Sequence, residues 1–461
     1  MNYDAAIIGA GPGGYVAAIR MAQLGMKIAL IEERDLGGVC TNRGCIPTKA
    51  LYSATKLLER ARDAEEMGIK FPAPAIDLER LASWKEKVVS TMVEGIDFLL
   101  EANGITVYRA RGMLASAEEI NLSTGERVAA ERIVIATGSL PIELSGFNFS
   151  EPCVWSSDDA LALTEIPNRL VVIGGGVIGL ELATIYNRLG SRVTVLEMMP
   201  ELLPGLDLDR RTIITLKRSL KAQGIDIRVN TPAQSIEETT EGAMVQLAGG
   251  DAVAADRILL AVGRRPNTTD IGLETVGIEL DKQGFITVDG DLQTNVPGVY
   301  AIGDLVPGPM LAHKASREGI KLAAVFVGDE LPLDYGNIPQ VVFTDPEIAS
   351  TGLSEKKAKE RGYEISVGRF PYAALGKAQG MRETEGFLQV VANARDGRLL
   401  GAQIIGAEAS TLIAEFSIVV QNGFSLSAIV KSVHAHPTLP EGVKEAAENA
   451  LGQAIHKVNR S

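Results

Sequence analysis

Gly9-Ala10-Gly11-Pro12-Gly13-Gly14 is the stretch that decides the fold, because of what stands on either side of it. A short apolar run, residues 4–9, leads into it; a helical pattern through Ala17, Ala18, Met21 and Leu24 carries on to Gly25; a second apolar run, 27–32, ends in Glu32. Strand, G-x-G-x-x-G, helix, strand and acid are the parts of a dinucleotide-binding unit in their required order. Gly9 is expected to make the turn, Gly11 to let the backbone approach a pyrophosphate, and Gly14 to let helix and strand pack closely. The helix N-terminus then offers N–H donors and partial positive charge to phosphates, and Glu32 is expected to accept from ribose hydroxyls.

The unit recurs. Residues 169–173 read as a strand, Gly174-Gly175-Gly176-Val177-Ile178-Gly179 as the loop, 180–189 as the helix, and 192–197 as a second strand ending in Glu197. First glycine to acid spans 23 residues in both copies, so two dinucleotides are implied. Each copy is closed by a similar strand, 132–138 and 257–263, ending in Gly138 and Gly263, where the chain can turn tightly or pass close to a ligand. Residues 51–58 and 81–100 read as amphipathic helices that pack a core.

Two of the three cysteines lie in Gly37-Gly38-Val39-Cys40-Thr41-Asn42-Arg43-Gly44-Cys45-Ile46-Pro47-Thr48-Lys49. On an ideal helix residues five apart stand roughly 8 Å from each other, beyond the roughly 4.4–6.8 Å Cα separation that a disulfide tolerates. A bond between them needs local distortion, for which Gly37, Gly38, Gly44 and Pro47 are expected to supply the freedom and the break. A bond held that way is expected to be strained and readily reduced, which suits a working disulfide. Half a metal site is disfavoured, since Cys153 is the one other cysteine and no histidine lies near; two inert buried thiols are the remaining alternative.

At 461 residues the chain has room for three or four domains, and 46% apolar with 22% charged residues describes a globular protein. A net charge of −13 argues against nucleic acid or an anionic membrane as partner, and no run of apolar residues is long enough to span a bilayer. A strand opens the sequence without a charged leader, so a cytoplasmic protein is expected, where a persistent cysteine pair is usually catalytic.

After Pro266 a strand-rich segment is expected, ending in Val299-Tyr300-Ala301-Ile302-Gly303-Asp304, with a helix opened by Met310-Leu311-Ala312-His313-Lys314-Ala315. Asp304 either holds ligand hydroxyls or caps a helix. From residue 336 strands (386–393, 399–406) interleave with helices (408–421, 440–457), the pattern of a separate α+β domain. It contains His434-Ala435-His436-Pro437-Thr438-Leu439-Pro440-Glu441, two of the four histidines. A histidine with a carboxylate five residues on is either an oriented general base or a plain surface residue.

Together these motifs resemble, from Tyr3 to the last helix and in the same order, the flavin-dependent disulfide oxidoreductases with two dinucleotide-binding domains, and most closely the branch that oxidises protein-bound dihydrolipoyl groups. Residues 37–49, 301–304 and 434–441 carry the most specific part of the resemblance. It implies an α/β fold with two Rossmann-like domains, FAD-binding (1–143) and NAD-binding (144–266), a segment 267–336 that completes the first, and a C-terminal α+β dimerisation domain (337–461). FAD is implied on Gly9, Gly11, Gly14, Glu32, Gly138 and Asp304, near Ala312; NAD is implied on Gly174, Gly176, Gly179 and Glu197, with Gly263 beside it. Cys45 is implied as the thiol against the flavin and Cys40 as the thiol that exchanges with substrate. Lys49 is implied near the flavin, paired with Glu181, and His436, oriented by Glu441, as the acid/base that reaches the disulfide of the other subunit of a homodimer. The implied partner is a lipoylated acyltransferase or glycine-cleavage carrier protein, with no nucleic acid, no membrane and no metal.

Three positions depart from the family pattern. Arg43 stands where many relatives carry valine and adds a charge expected to favour a thiolate; Ala183 replaces a common glycine; Pro440 stands where serine is frequent and is expected to start the last helix. The terminal cysteine pair of mercuric ion reductases is lacking. Two other functions compete with this reading. The acidity of Glu197 opposes an NADPH-dependent reductase of a low-molecular-weight disulfide, and a flavoprotein sensor without turnover has no use for Cys40, Cys45 and His436.

Overall fold

A computed structural model of the chain describes residues 2–70, 72, 74–239 and 242–459. The chain divides into two compact units, Met1–Leu144 with Trp155–Glu165 and Val262–Tyr335, and Ser145–Val154 with Ile166–Ala261 and Gly336–Ser461.

The first unit is organised on a parallel sheet whose strands lie in the order Val299–Ala301, Ile133–Ile135, Ala5–Ile8, Ile28–Glu32 and Thr106–Arg109. The central strand reads Ala-Ala-Ile-Ile without alternation because both of its faces are covered, as parallel strands require. Ala5 and Ile7 join a core with Ala17, Ala18 and Met21 of the helix Pro12–Gln23. Ala6 and Ile8 face the other way, into a core shared with Leu114, Ile120 and Val128, which belong to a small sheet formed by Asn2–Tyr3, Arg127–Ala130, Glu119–Leu122 and Gly112–Leu114. The two helices expected at 51–58 and 81–100 are longer, Cys45–Asp63 and Leu78–Ala102, the second capped by the Asp77 carboxylate on the N–H of Arg80. The segment after Pro266 is not strand-rich: it holds the short helix Leu273–Val276, isolated bridges such as Leu280 to Ile286, and a single strand, Val299–Ala301. Its apolar residues are buried by irregular backbone rather than by ladders, which local alternation does not distinguish.

The second unit repeats the arrangement. Arg257–Leu260, Arg169–Ile173, Arg192–Leu196 and Asp226–Arg228 are parallel neighbours in that order, so in both units the strand before the glycine loop lies between the acid-bearing strand and the closing strand. An antiparallel ribbon, Ala233–Thr239, Gly242–Leu247 and Ala252–Ala255, is inserted before the closing strand.

From Gly336 an antiparallel five-stranded sheet runs Gln340–Val342, Ile348–Gly352, Leu399–Ile405, Phe387–Asn393 and Ile365–Pro371. The helices Ala409–Gln421 and Glu441–Ala450 bury Phe416, Val443, Ala446 and Ala447 in one core with Leu388, Val390 and Ile404 of that sheet. The last helix stops at Ala450, well short of 457, and Gly452 follows with φ +71°. Pro440 precedes its first residue with helical angles already in place, φ −55° and ψ −20°. Among the described residues no helix is long and apolar enough to cross a membrane.

Candidate active site

The first glycine loop sorts its glycines by what each must avoid. A Cβ on Gly9 would meet Ala136 O at 2.3 Å, and one on Gly14 would meet Gly9 O at 1.8 Å, so the protein itself demands both. Among the described residues nothing lies within 4 Å of a Cβ on Gly11. Its bare backbone caps the helix Pro12–Gln23 without a side-chain hydrogen bond, which leaves space and helix-terminal donors for an anionic group from outside the chain. Glu32 braces the loop: Oε2 accepts from the N–H of Ala10 at 2.7 Å and Oε1 from that of Arg34 at 2.8 Å.

The same division holds in the second unit. A Cβ on Gly179 would meet Gly174 O at 2.1 Å, while Gly176 faces open space. Glu197 is buried, with Oε2 accepting from the N–H of Gly175 and Oε1 from that of Met199, both at 2.7 Å. Glu181, also buried, accepts from the N–H of Phe343 at 3.0 Å.

The cysteine segment is tied directly to the first loop. The N–H of Gly37 donates to Ala10 O at 2.8 Å, and Gly38 (φ +60°) starts the helix Gly38–Arg43 so close to Gly11 that a Cβ would stand 2.7 Å from its Cα. Gly44, with φ −144° and ψ −107°, ends that helix and starts the next, Cys45–Asp63. Gly44 alone is therefore the break between the cysteines. Pro47 lies inside the first turn of the second helix, where its missing N–H costs nothing; Gly38 serves the approach to the loop, and a Cβ on Gly37 (φ +87°) would meet the Thr41 side chain at 2.4 Å.

Cys40 and Cys45 stand as two thiols in hydrogen-bonding contact. The bond with Cys45, burial and repulsion from Cys45 push the Cys40 thiol far up, and the Lys49 ammonium draws it back in part. The Arg43 guanidinium, expected to favour a thiolate, faces Asp158 at 3.4 Å and Asp35 at 3.8 Å.

Asp304 lies in a single 3-10 turn, Gly303–Leu305, and caps no long helix; the helix Ala312–Phe326 begins eight residues later, with Ala312 as its first residue. Its carboxylate accepts from Ser139 Oγ at 2.5 Å. Arg264 in turn donates from Nε to Ser139 Oγ at 2.8 Å and from Nη2 to Ser139 O at 2.7 Å. Sequence reasoning missed Ser139 and Arg264, although each directly follows a glycine it had singled out, Gly138 (φ +75°) and Gly263 (φ +132°). Strands Ser139–Pro141 and Arg264–Pro266 pair antiparallel and bring the two together.

The histidine run resolves into two different residues. His434 has a side chain 8% exposed and bonds Glu415 at 2.9 Å, whereas the side chain of His436 is 79% exposed and places Nδ1 2.8 Å from Glu441 Oε1. Glu441 Oε2 also accepts from the N–H of Thr438 at 2.9 Å. Burial alone would raise the Glu441 carboxyl, but the bonds from Thr438 and His436 prevail and hold it below the ordinary carboxylate range. With Nδ1 engaged, Nε2 is the nitrogen left to exchange a proton.

Two glycine loops of one design, a cysteine pair locked onto the first, and an exposed histidine oriented by a carboxylate are the parts of a pyridine nucleotide-disulphide oxidoreductase, and the chain belongs to that family: its profile matches residues 3–319, and that of the family's dimerisation domain matches residues 338–447. The relatives are more particular. The dihydrolipoyl dehydrogenase of Geobacillus stearothermophilus is 45% identical over 460 residues, covering 98% of this chain and 97% of its own, and that of Bacillus subtilis strain 168 is 44% identical over 462 residues, covering 99% and 98%. Among solved structures, LpdA from Mycobacterium tuberculosis superposes with a TM-score of 0.91 at 26% identity, covering 96% of this chain and 99% of its own. The HOCl-induced flavoprotein disulfide reductase RclA from Escherichia coli gives 0.88 at 27%, covering 97% and 99%.

Proposed function

We propose that the protein is a homodimeric, cytoplasmic dihydrolipoyl dehydrogenase, which oxidises dihydrolipoyl groups carried by an acyltransferase or a glycine-cleavage carrier protein and reduces NAD. The observation that carries this reading is the Cys40–Cys45 pair, set across the Gly44 break and hydrogen-bonded through Gly37 to the first glycine loop. The full-length kinship with dihydrolipoyl dehydrogenases supports the substrate, and the match of residues 338–447 to a dimerisation domain supports the homodimer. We retain the division into FAD-binding, NAD-binding, FAD-completing and dimerisation segments given above as part of the proposal.

The residues fit the two cofactors. The Cβ positions of Gly11 and Gly176, open among the described residues, suit a pyrophosphate at each uncapped helix start. In this reading Gly9, Gly11, Gly14, Glu32, Gly138, Asp304 and Ala312 hold FAD, while Gly174, Gly176, Gly179, Glu197 and Gly263 hold NAD. FAD, when bound, supplies the two-electron relay between the thiols and the nicotinamide.

The chain's own residues do the rest. Nε2 of His436, its ring held by Glu441, takes the proton from a substrate thiol, and the thiolate attacks Sγ of Cys40 in the oxidised pair. The Cys40–Cys45 bond breaks and its electron pair leaves on Cys45. The second substrate thiol then attacks the sulfur bound to Cys40, closing the lipoyl disulfide and releasing the Cys40 thiol, so the pair is reduced as the substrate is oxidised. Lys49, one turn beyond Cys45, supplies positive charge beside the thiols, and we propose its pairing with Glu181.

Turnover of dihydrolipoamide with NAD, set against glutathione disulfide with NADPH, tests the reading. Efficient reduction of NAD by dihydrolipoamide is expected. Preference for the second pair replaces the reading by a low-molecular-weight disulfide reductase, and inactivity with both, despite bound flavin, replaces it by a binding or sensing role.

A further inference from the structure

Lys314 and Glu318, one turn apart on the helix Ala312–Phe326, are both wholly buried and are paired at 3.2 Å. The proposed thiol exchange uses neither. A buried ion pair is a weak stabiliser, because removing two charges from water offsets most of their attraction, and well-packed apolar residues often serve a core as well.

The hydrogen bonds show what the pair holds. Glu318 Oε2 accepts from the N–H of Gly303 at 2.7 Å, and Oε1 accepts from the hydroxyl of Tyr335 at 2.6 Å. Lys314 Nζ donates to the carbonyl oxygen of the same Gly303 at 2.7 Å and to that of Val306 at 3.4 Å. Both backbone polar groups of one residue are thus gripped by the two halves of one ion pair. That residue has φ +80° and stands directly before Asp304. The same helix is seated on the first glycine loop: a Cβ on Gly319 would come 2.7 Å from Gly13 O, and Ser316 Oγ donates to Pro12 O at 3.2 Å. One rigid element therefore references the Asp304 turn to the start of the helix Pro12–Gln23.

We propose that Lys314, Glu318 and Tyr335 are positioning residues that hold the Asp304 carboxylate, through Gly303, at a fixed place relative to the first glycine loop, and thereby set how tightly FAD is bound. This rests on the reading of that loop and Asp304 as the FAD site. A ligand that engages both places at once binds tightly only if their separation is set beforehand; a turn free to wander must be ordered by the ligand itself, and affinity falls accordingly.

The test uses the full-length protein and FAD. In the double variant Lys314→Met/Glu318→Gln the charges are removed together, the amide oxygen still accepts from Gly303, and the grip on the Gly303 carbonyl is lost. Tyr335→Phe removes one hydroxyl and leaves the ion pair. The FAD dissociation constant is measured by flavin fluorescence, alongside the melting temperatures with and without saturating FAD and the visible spectrum of the bound flavin. The dissociation constant is expected to rise about tenfold in the double variant and about threefold in Tyr335→Phe, the scale of one charge-assisted and one ordinary hydrogen bond. The rise in melting temperature brought by FAD is expected to shrink, and the bound spectrum to move toward that of free FAD. Variants that melt earlier but keep wild-type FAD affinity and spectrum overturn the inference, since the triad is then merely structural. If the double variant cannot be obtained folded, unchanged affinity in Tyr335→Phe overturns it equally. Failure of the wild-type chain to bind FAD overturns the reading of the site itself, and this inference with it.

Discussion

Gly38 lies against Gly11 so closely that a single methyl group would place carbon 2.7 Å from carbon, and this contact joins the cysteine-bearing helix to the first glycine loop. Gly38→Ala should therefore both strain the backbone at φ +60° and push the two segments apart. A loss of about 2–5 kcal/mol in stability is expected, together with a fall in flavin content. Gly68→Ala is the control, because Gly68 has φ +82° but no atom of the described residues within 4 Å of an added Cβ, and about 1 kcal/mol is expected there with flavin retained. Equal effects in the two variants, measured by chemical denaturation and flavin absorbance, refute the role of the contact.

The unequal thiols can be told apart by colour. Cys40→Ser keeps the Cys45 thiolate and should show a long-wavelength charge-transfer band with oxidised FAD, whereas Cys45→Ser should lack it. Both should lose lipoamide turnover. Spectra with the opposite assignment reverse the roles of the two cysteines.

The Glu441 carboxyl, lowered by its bonds to Thr438 and His436, carries a sign that stability measurements can check. Its folded value lies below the ordinary 4.5, so its contribution is present above about that pH and is lost as pH falls through the folded value. Wild type should therefore lose melting temperature on acidification below pH 4.5 more steeply than Glu441→Gln. The same variant should lose about 10- to 100-fold in kcat/KM, as an acid/base group loses its orientation. Parallel melting curves from pH 6 to pH 3 count against the carboxylate.

Sharing of the site between subunits is tested by mixing two dead variants. Cys45→Ser lacks one thiol and His436→Gln lacks the base, so each homodimer should be nearly inactive. In a mixed dimer one site carries both defects and the other, if each histidine serves its partner's disulfide, carries none. Random pairing makes about half the dimers mixed and roughly a quarter of all sites intact. A mixture that stays as inactive as its parents, with subunit exchange demonstrated, places the histidine on its own chain's disulfide.

In the proposed reading Glu197 sets the dinucleotide specificity. A buried carboxylate at the end of the second strand repels a 2′-phosphate, so kcat/KM with NADP should fall at least about 100-fold below that with NAD. Comparable efficiencies remove Glu197 from the role.

Features under short-range control are legible in the order of the amino acids. A turn, a helix start and an acid at fixed spacing are demands on backbone geometry within some two dozen residues, so both glycine loops were legible, as were the cysteine pair and the His436–Glu441 spacing. Tertiary structure decided which requirement each residue serves. Gly38 reads locally as flexibility and proves to be an approach to Gly11; Arg43 reads as a cation for a thiolate and proves to face Asp35 and Asp158. His434 and His436 are alike in sequence and part only when one is buried against Glu415 and the other is left in solvent. Ser139, Arg264 and Asp304 lie 125 and 165 residues apart along the chain and meet through hydrogen bonds, and no periodicity records a partner at that distance. The grip of Lys314 and Glu318 on Gly303 is hidden for a further reason: charged residues one turn apart on a helix read as a solvated pair, and only the packing around them shows that both have left water.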